Sequence, residues 1–77
     1  MTKSKKLSPR QAKVVAELAR TPGGRVPWYV LADAIGEPVD KVGRLRVYSV
    51  VQRIRLKFGR DAILADYDRG YYVKPGF

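Results

Sequence analysis

The sequence predicts a mainly α domain with a small β element: three helices followed by a C-terminal β-hairpin. Three observations predict it. Two short helical repeats carry clear start and stop residues, a longer third repeat is strongly basic, and the helical period gives way after Gly59 to two strand-like runs around a turn-rich loop. With 77 residues, 45% of them hydrophobic, the chain can build one core and no second. Its organisation reads as a flexible basic arm over residues 1–6 and one folded domain over residues 7–77.

Residues 1–6, MTKSKK, are polar, basic and without periodicity. Such an arm suits phosphate contact or plain solubilisation equally. Leu7-Ser8-Pro9-Arg10-Gln11 then reads as a helix start. Ser8 can cap, Pro9 fits the first helical position where no N–H is needed, Gln11 completes a capping box, and Leu7 can fold back on the first turn. This helix is expected to run to about Arg20, burying Ala12, Val15, Leu18 and Ala19 and leaving Lys13, Glu17 and Arg20 outside. Thr21-Pro22-Gly23-Gly24 ends it, because the residue before proline avoids helical backbone angles and two glycines follow.

Arg25-Val26 leaves room for one bridging strand residue. Pro27 opens the second helix, with Trp28, Leu31, Ala34 and Ile35 toward the core and Gly36 as a left-handed stop. In so small a domain Trp28 reads as the core's largest filler rather than as a base-stacking partner of Tyr29. Glu37-Pro38-Val39-Asp40 is a turn in which Asp40 can cap the third helix, whose first turn is weakened by Gly43. After Gly59, Ala62-Ile63-Leu64-Ala65 and Gly70-Tyr71-Tyr72-Val73 flank Asp66-Tyr67-Asp68-Arg69, the pattern of a β-hairpin. Pro75-Gly76-Phe77 closes the chain.

The third helix organises the rest. Lys41 to Arg60, KVGRLRVYSVVQRIRLKFGR, holds seven basic residues and no acidic one. Val47, Val50, Val51, Ile54 and Phe58 fall at spacings of three and four, one stripe that faces a core. At about 100° per residue the opposite face carries Leu45, Ser49, Gln52 and Leu56, flanked by Arg46 and Arg53 on one side and by Tyr48 and Arg55 on the other. Ordinary exposed helices mix acids with bases in i,i+4 pairs, and here no acid intervenes. A face of arginine, amide, hydroxyl and short apolar groups suits the DNA major groove, where Arg forks onto guanine, Gln pairs with adenine and alkyl groups touch the thymine methyl.

Composition narrows the classes further. The chain has no Cys and no His, which excludes disulfides and thiolate metal sites and removes the commonest general base. Ser4, Ser8 and Ser49 have no His partner, the acids are scattered, and no phosphate-cradling loop or metal-ligand spacing occurs, so no enzyme and no cofactor is expected. Asp66 and Asp68 are explained by the turn preference of Asp. Sixteen Lys and Arg against seven Asp and Glu leave +9, which draws the chain to polyanions. There is no apolar run of membrane-spanning length and no signal-peptide core, so the expected location is cytoplasmic, on the nucleoid.

Taken in order, LSPRQAKVVAELARTPGGRVPWYVLADAIG, VYSVVQRIRLKFG and ILADYDRGYYV resemble the effector domain of OmpR/PhoB-type response regulators, a winged helix-turn-helix, over about residues 7–74. The resemblance rests on the order and spacing of a Leu-Ser-Pro helix start, a short helix ending near Gly, a basic Leu-containing third helix and a wing closing on Gly-Tyr. It implies that Arg44 to Gln52 enter the major groove, that Arg53, Arg55 and Lys57 hold phosphates, and that the Tyr67 to Arg69 tip reaches a minor groove or the backbone. Three departures stand against the family pattern. A six-residue arm replaces the β-sheet and receiver domain that precede the first helix, so phosphorylation in cis is not carried over. Pro27 replaces a Ser or Thr cap, and Asp66 and Asp68 put negative charge on the wing.

The expected function is therefore a DNA-binding transcriptional regulator whose partner is double-stranded DNA. The candidate base-contacting residues are Arg44, Arg46, Tyr48, Ser49 and Gln52. The candidate phosphate-contacting residues are Arg10, Lys13, Lys41, Arg53, Arg55, Lys57 and Arg69. One small module offers few base contacts, which pushes specific binding toward a homodimer or tandem sites. Leu45 and Leu56 on the outer face also support an alternative, a small adaptor of phage or plasmid type that binds RNA polymerase or another regulator.

Overall fold

The fold begins with the capping box read from the sequence. In the computed structural model, which describes residues 7–66 and 69–74, Ser8 Oγ accepts from the Gln11 N–H at 3.3 Å and Gln11 Oε1 accepts from the Ser8 N–H at 3.1 Å. The expected basic arm, Tyr67 and Asp68 of the expected wing tip, and Pro75-Gly76-Phe77 lie outside the described residues. The box starts α1, Pro9–Ala19; α2 is Trp28–Ala34 and α3 is Lys41–Phe58. A 3-10 turn, Arg60–Ala62, leads to β1, Leu64–Asp66, and β2, Gly70–Tyr72. The architecture is mainly helical with one small antiparallel sheet.

Each junction has a local cause. Gly36 takes φ of 75°, the left-handed angle that ends α2, and Gly23 takes φ of 80° in the turn that follows α1. Asp40 caps α3, its Oδ1 accepting from the Gly43 N–H at 2.9 Å. The strands pair in antiparallel register, Leu64 opposite Tyr72 and Asp66 opposite Gly70, and Val26 bridges Tyr71 on the other side. The bridge is closed at both ends: Val26 N–H donates to Tyr71 O at 2.8 Å, and Tyr71 N–H to Val26 O at 2.9 Å. The Gly23 N–H donates to Val73 O at 2.8 Å, so the turn after α1 is tied to the residue that follows β2.

Arg25 adds a side-chain fastening at the same edge. Its Nε lies 3.0 Å from Asp66 Oδ2, and its guanidinium carbon lies 3.6 Å from the centre of the Tyr72 ring. The acid of β1 is thereby neutralised inside the domain.

The core lies where α1, α2 and α3 meet and is sealed by the residues that flank the sheet. Val14, Leu18, Leu31, Val47, Val51, Ile54 and Ile63 are fully buried, with Val26, Val50 and Val73 beside them. Trp28 is half-buried against this cluster rather than at its centre. The buried face of α1 differs from the expected one: Ala12 and Ala19 are exposed, Val15 is half-buried, and Gln11, Val14 and Leu18 face inward. Val14 and Leu18, four positions apart and fully buried, carry that face, and Gln11, three positions before Val14, joins it with its carboxamide held by the capping box and by Lys57 Nζ at 2.8 Å. On α2, Ala32 is buried and Ala34 only partly so. Phe58, at the end of α3, lies beyond the edge of the core and is 40% exposed.

Two glycines are required by close approach. A Cβ on Gly43 would strike the Pro38 carbonyl, and one on Gly70, where φ is 124°, would strike the Val26 carbonyl. Gly43 is therefore the place where the turn after α2 lies against the first turn of α3. In an open helix, Gly→Ala gains about 1 kcal/mol. Here the methyl group has no room, so Gly43→Ala is expected to lower stability by about 1–3 kcal/mol, the range for overpacking. A lower midpoint in a thermal melt followed by circular dichroism checks this; a higher midpoint would mean that the turn simply moves aside.

Candidate nucleic-acid interface

The two sides of α3 have opposite chemistry. Val47, Val51 and Ile54 are 0% exposed, whereas Leu45 and Leu56 on the far side are 62% and 86% exposed. The helix carries six Lys and Arg and no Asp or Glu. Because the valine stripe consumes the inward face, the cations and the polar groups are left on the flanks and the outer face.

Among the candidate base readers, Arg44, Arg46, Tyr48 and Ser49 are exposed and Gln52 is half-exposed. Gln52 Nε2 donates to Tyr48 Oη at 3.1 Å, and Gln52 Oε1 accepts from Arg55 Nη1 at 2.9 Å. These bonds fix which end of the amide is donor and which is acceptor, and each end keeps one further bonding position. Arg44 stands with its guanidinium carbon 5.8 Å from the centre of the Trp28 ring, at the mouth of a cleft of about 430 Å³ between α2, α3 and the hairpin. Arg46 is not loose. Its Nε lies 3.3 Å from Glu37 Oε1.

The candidate phosphate contacts divide into two groups. Lys13, Lys41, Arg53 and Arg69 are exposed, and no ion pair links them to a described acid. Arg10 is exposed as well, with Nη1 2.8 Å from Glu37 Oε2. Arg10, Arg46, Arg53, Ser8 and Ser49 line one groove between the start of α1 and the middle of α3. Arg55 and Lys57 belong to the second group. Arg55 Nε donates to Ile63 O at 2.9 Å while Nη1 holds Gln52, and Lys57 Nζ donates to Gln11 Oε1 at 2.8 Å. Arg55 thus fastens the segment after the 3-10 turn to α3, and Lys57 joins α3 to the cap of α1. The Tyr67 and Asp68 part of the expected wing tip lies outside the described residues.

Two participants were not singled out from the sequence. Glu37 reaches Arg46 nine positions ahead and Arg10 far behind, outside any helical pairing distance, so only tertiary structure reveals it. Arg25 pairs with Asp66 across the sheet edge, which likewise has no local signature. Tyr71 lines the cleft beside Arg44, and burial pushes its phenol above the usual tyrosine range against the pull of Arg55 and Arg44. No described helix is long and apolar enough to cross a membrane, and among the described residues no three of His, Cys, Asp and Glu come together as a metal site would need.

Compared with family models, with characterised proteins and with solved structures, the chain matches none.

Proposed function

We propose that this chain is a winged helix-turn-helix DNA-binding regulator in which α3 enters the major groove and the β1–β2 hairpin is the wing. One observation carries the reading: an 18-residue helix without an acid, pinned to the core by one side and presenting Arg44, Arg46, Ser49 and Gln52 on the other. A helix of this kind fits the width of the groove, and its side chains match the donor and acceptor patterns of base edges. Arg53, Lys41 and Lys13, which have no acid partner among the described residues, supply the phosphate contacts, which set register and affinity without reading sequence. Under this reading the protein works in the cytoplasm, on the nucleoid, and two copies on adjacent half-sites supply the base contacts that a single module lacks.

A second reading is supported by the apolar part of the same surface. Val39, Val42, Leu45 and Leu56 are between 52% and 86% exposed, which suits an adaptor that docks on RNA polymerase or another regulator. Electrophoretic shifts with random and genomic duplexes at about 0.15 M salt separate the two. Retained duplex favours DNA binding; no retention on any duplex, with a polymerase subunit captured in a pull-down, favours the adaptor.

Two outcomes follow for the DNA reading and a third for the fold. If about five phosphates are neutralised, log affinity falls against log salt with a slope of roughly −4 to −5, and Arg53→Gln reduces the magnitude of that slope by about 1 on every sequence. Arg46→Ala costs about 1–3 kcal/mol and relaxes preference at one base position, whereas an equal loss on all sequences would reassign Arg46 to the backbone. Arg55→Gln acts differently. It deprives the Ile63 carbonyl of its charged donor, so it is expected to lower unfolding free energy by about 1–3 kcal/mol in a urea titration.

A further inference from the structure

Glu37 sits in the turn between α2 and α3 with its side chain only 10% exposed, and each of its carboxylate oxygens faces a different arginine. Oε2 is 2.8 Å from Arg10 Nη1 and Oε1 is 3.3 Å from Arg46 Nε. The side chains of both arginines remain more than half exposed, at 53% and 57%. The Glu37 backbone is fixed as well, its N–H donating to Ala32 O at 2.9 Å. The carboxylate is therefore an anchored anion set behind two cations that face outward.

We propose that Glu37 is a specificity-determining positioning residue: it holds Arg10 and Arg46 against an internal anion, so that a passing phosphate gains little from them while a correctly placed base edge meets a guanidinium already oriented. This rests on the DNA-binding reading above. The physical argument concerns competition. A flexible Arg collapses onto any phosphate within reach, which adds affinity on all sequences alike. An Arg tethered through Nε keeps its two terminal nitrogens in a fixed fork, the geometry that guanine O6 and N7 require. Glu37 also cancels one charge in the groove where Arg10, Arg46 and Arg53 converge. It thereby weakens the part of binding that ignores sequence.

The test uses the full chain and its Glu37→Gln variant, with a random duplex pool and a duplex selected from that pool by the unaltered protein. The expected result is tighter binding of Glu37→Gln to the random pool, a salt slope larger in magnitude by about 1, and a selected-to-random affinity ratio reduced roughly fivefold or more. In an Arg46→Gln background the same Glu37 change should no longer alter that ratio, because the effect acts through Arg46. A lower melting temperature with unchanged slope and ratio would overturn the proposal and leave Glu37 a structural cross-link between α1 and α3. An unaltered protein that retains no duplex even at about 0.05 M salt would defeat the DNA reading itself, and this inference with it.

Discussion

Burial of one side of α3 is the constraint on which the other elements depend. Val47, Val51 and Ile54 are fully enclosed, and at about 1.5–3 kcal/mol for each such side chain they contribute as much as the whole net stability of a small domain. The exposed ion pairs, worth about 0–1 kcal/mol each, cannot compete with that. The rotation of α3 about its axis is therefore set by its apolar stripe. What the outer face carries is free to be chosen for something other than stability.

The strand elements serve the same helix from its far end. β1 and β2 are too short to persist alone. They are held because Ile63 and Val73 close the core, because Val26 extends the pairing by one residue, and because Arg55 reaches from α3 to the Ile63 carbonyl. This explains why two of the cations expected to hold phosphates, Arg55 and Lys57, bond within the domain instead. Both stand in the last turn of α3, where a basic side chain is within reach of carbonyl acceptors at the helix end.

Much of this was legible in the sequence, and the reasons differ by element. The start of α1, the cap of α3 by Asp40, the left-handed stop at Gly36 and the bridge at Val26 are local events written in two to four consecutive residues. The valine stripe of α3 was legible because burial there is strictly apolar and periodic. The buried face of α1 was not, since it includes Gln11, a polar residue held by a cap and a distant lysine. Gly43 read as a weak point and is instead a point of contact with Pro38. The roles of Glu37 and Arg25 were out of reach for a related reason: their partners are distant in sequence, and only the assembled helices bring them together.

The distribution of acids completes the electrostatic picture. A chain carrying +9 repels itself, and the ordinary remedy is to intersperse Asp and Glu among the cations. Here Glu17 pairs with Arg20 on α1, Asp66 with Arg25 on the sheet edge, and Glu37 serves two arginines from beneath. None of these acids stands on α3; Glu37 reaches one of its cations, Arg46, while Lys41, Arg44 and Arg53 have no acid partner among the described residues. The repulsion that remains is borne by α3 because its buried stripe holds it in place. A polyanion laid along the outer face would relieve that repulsion and release its own counterions in the same step.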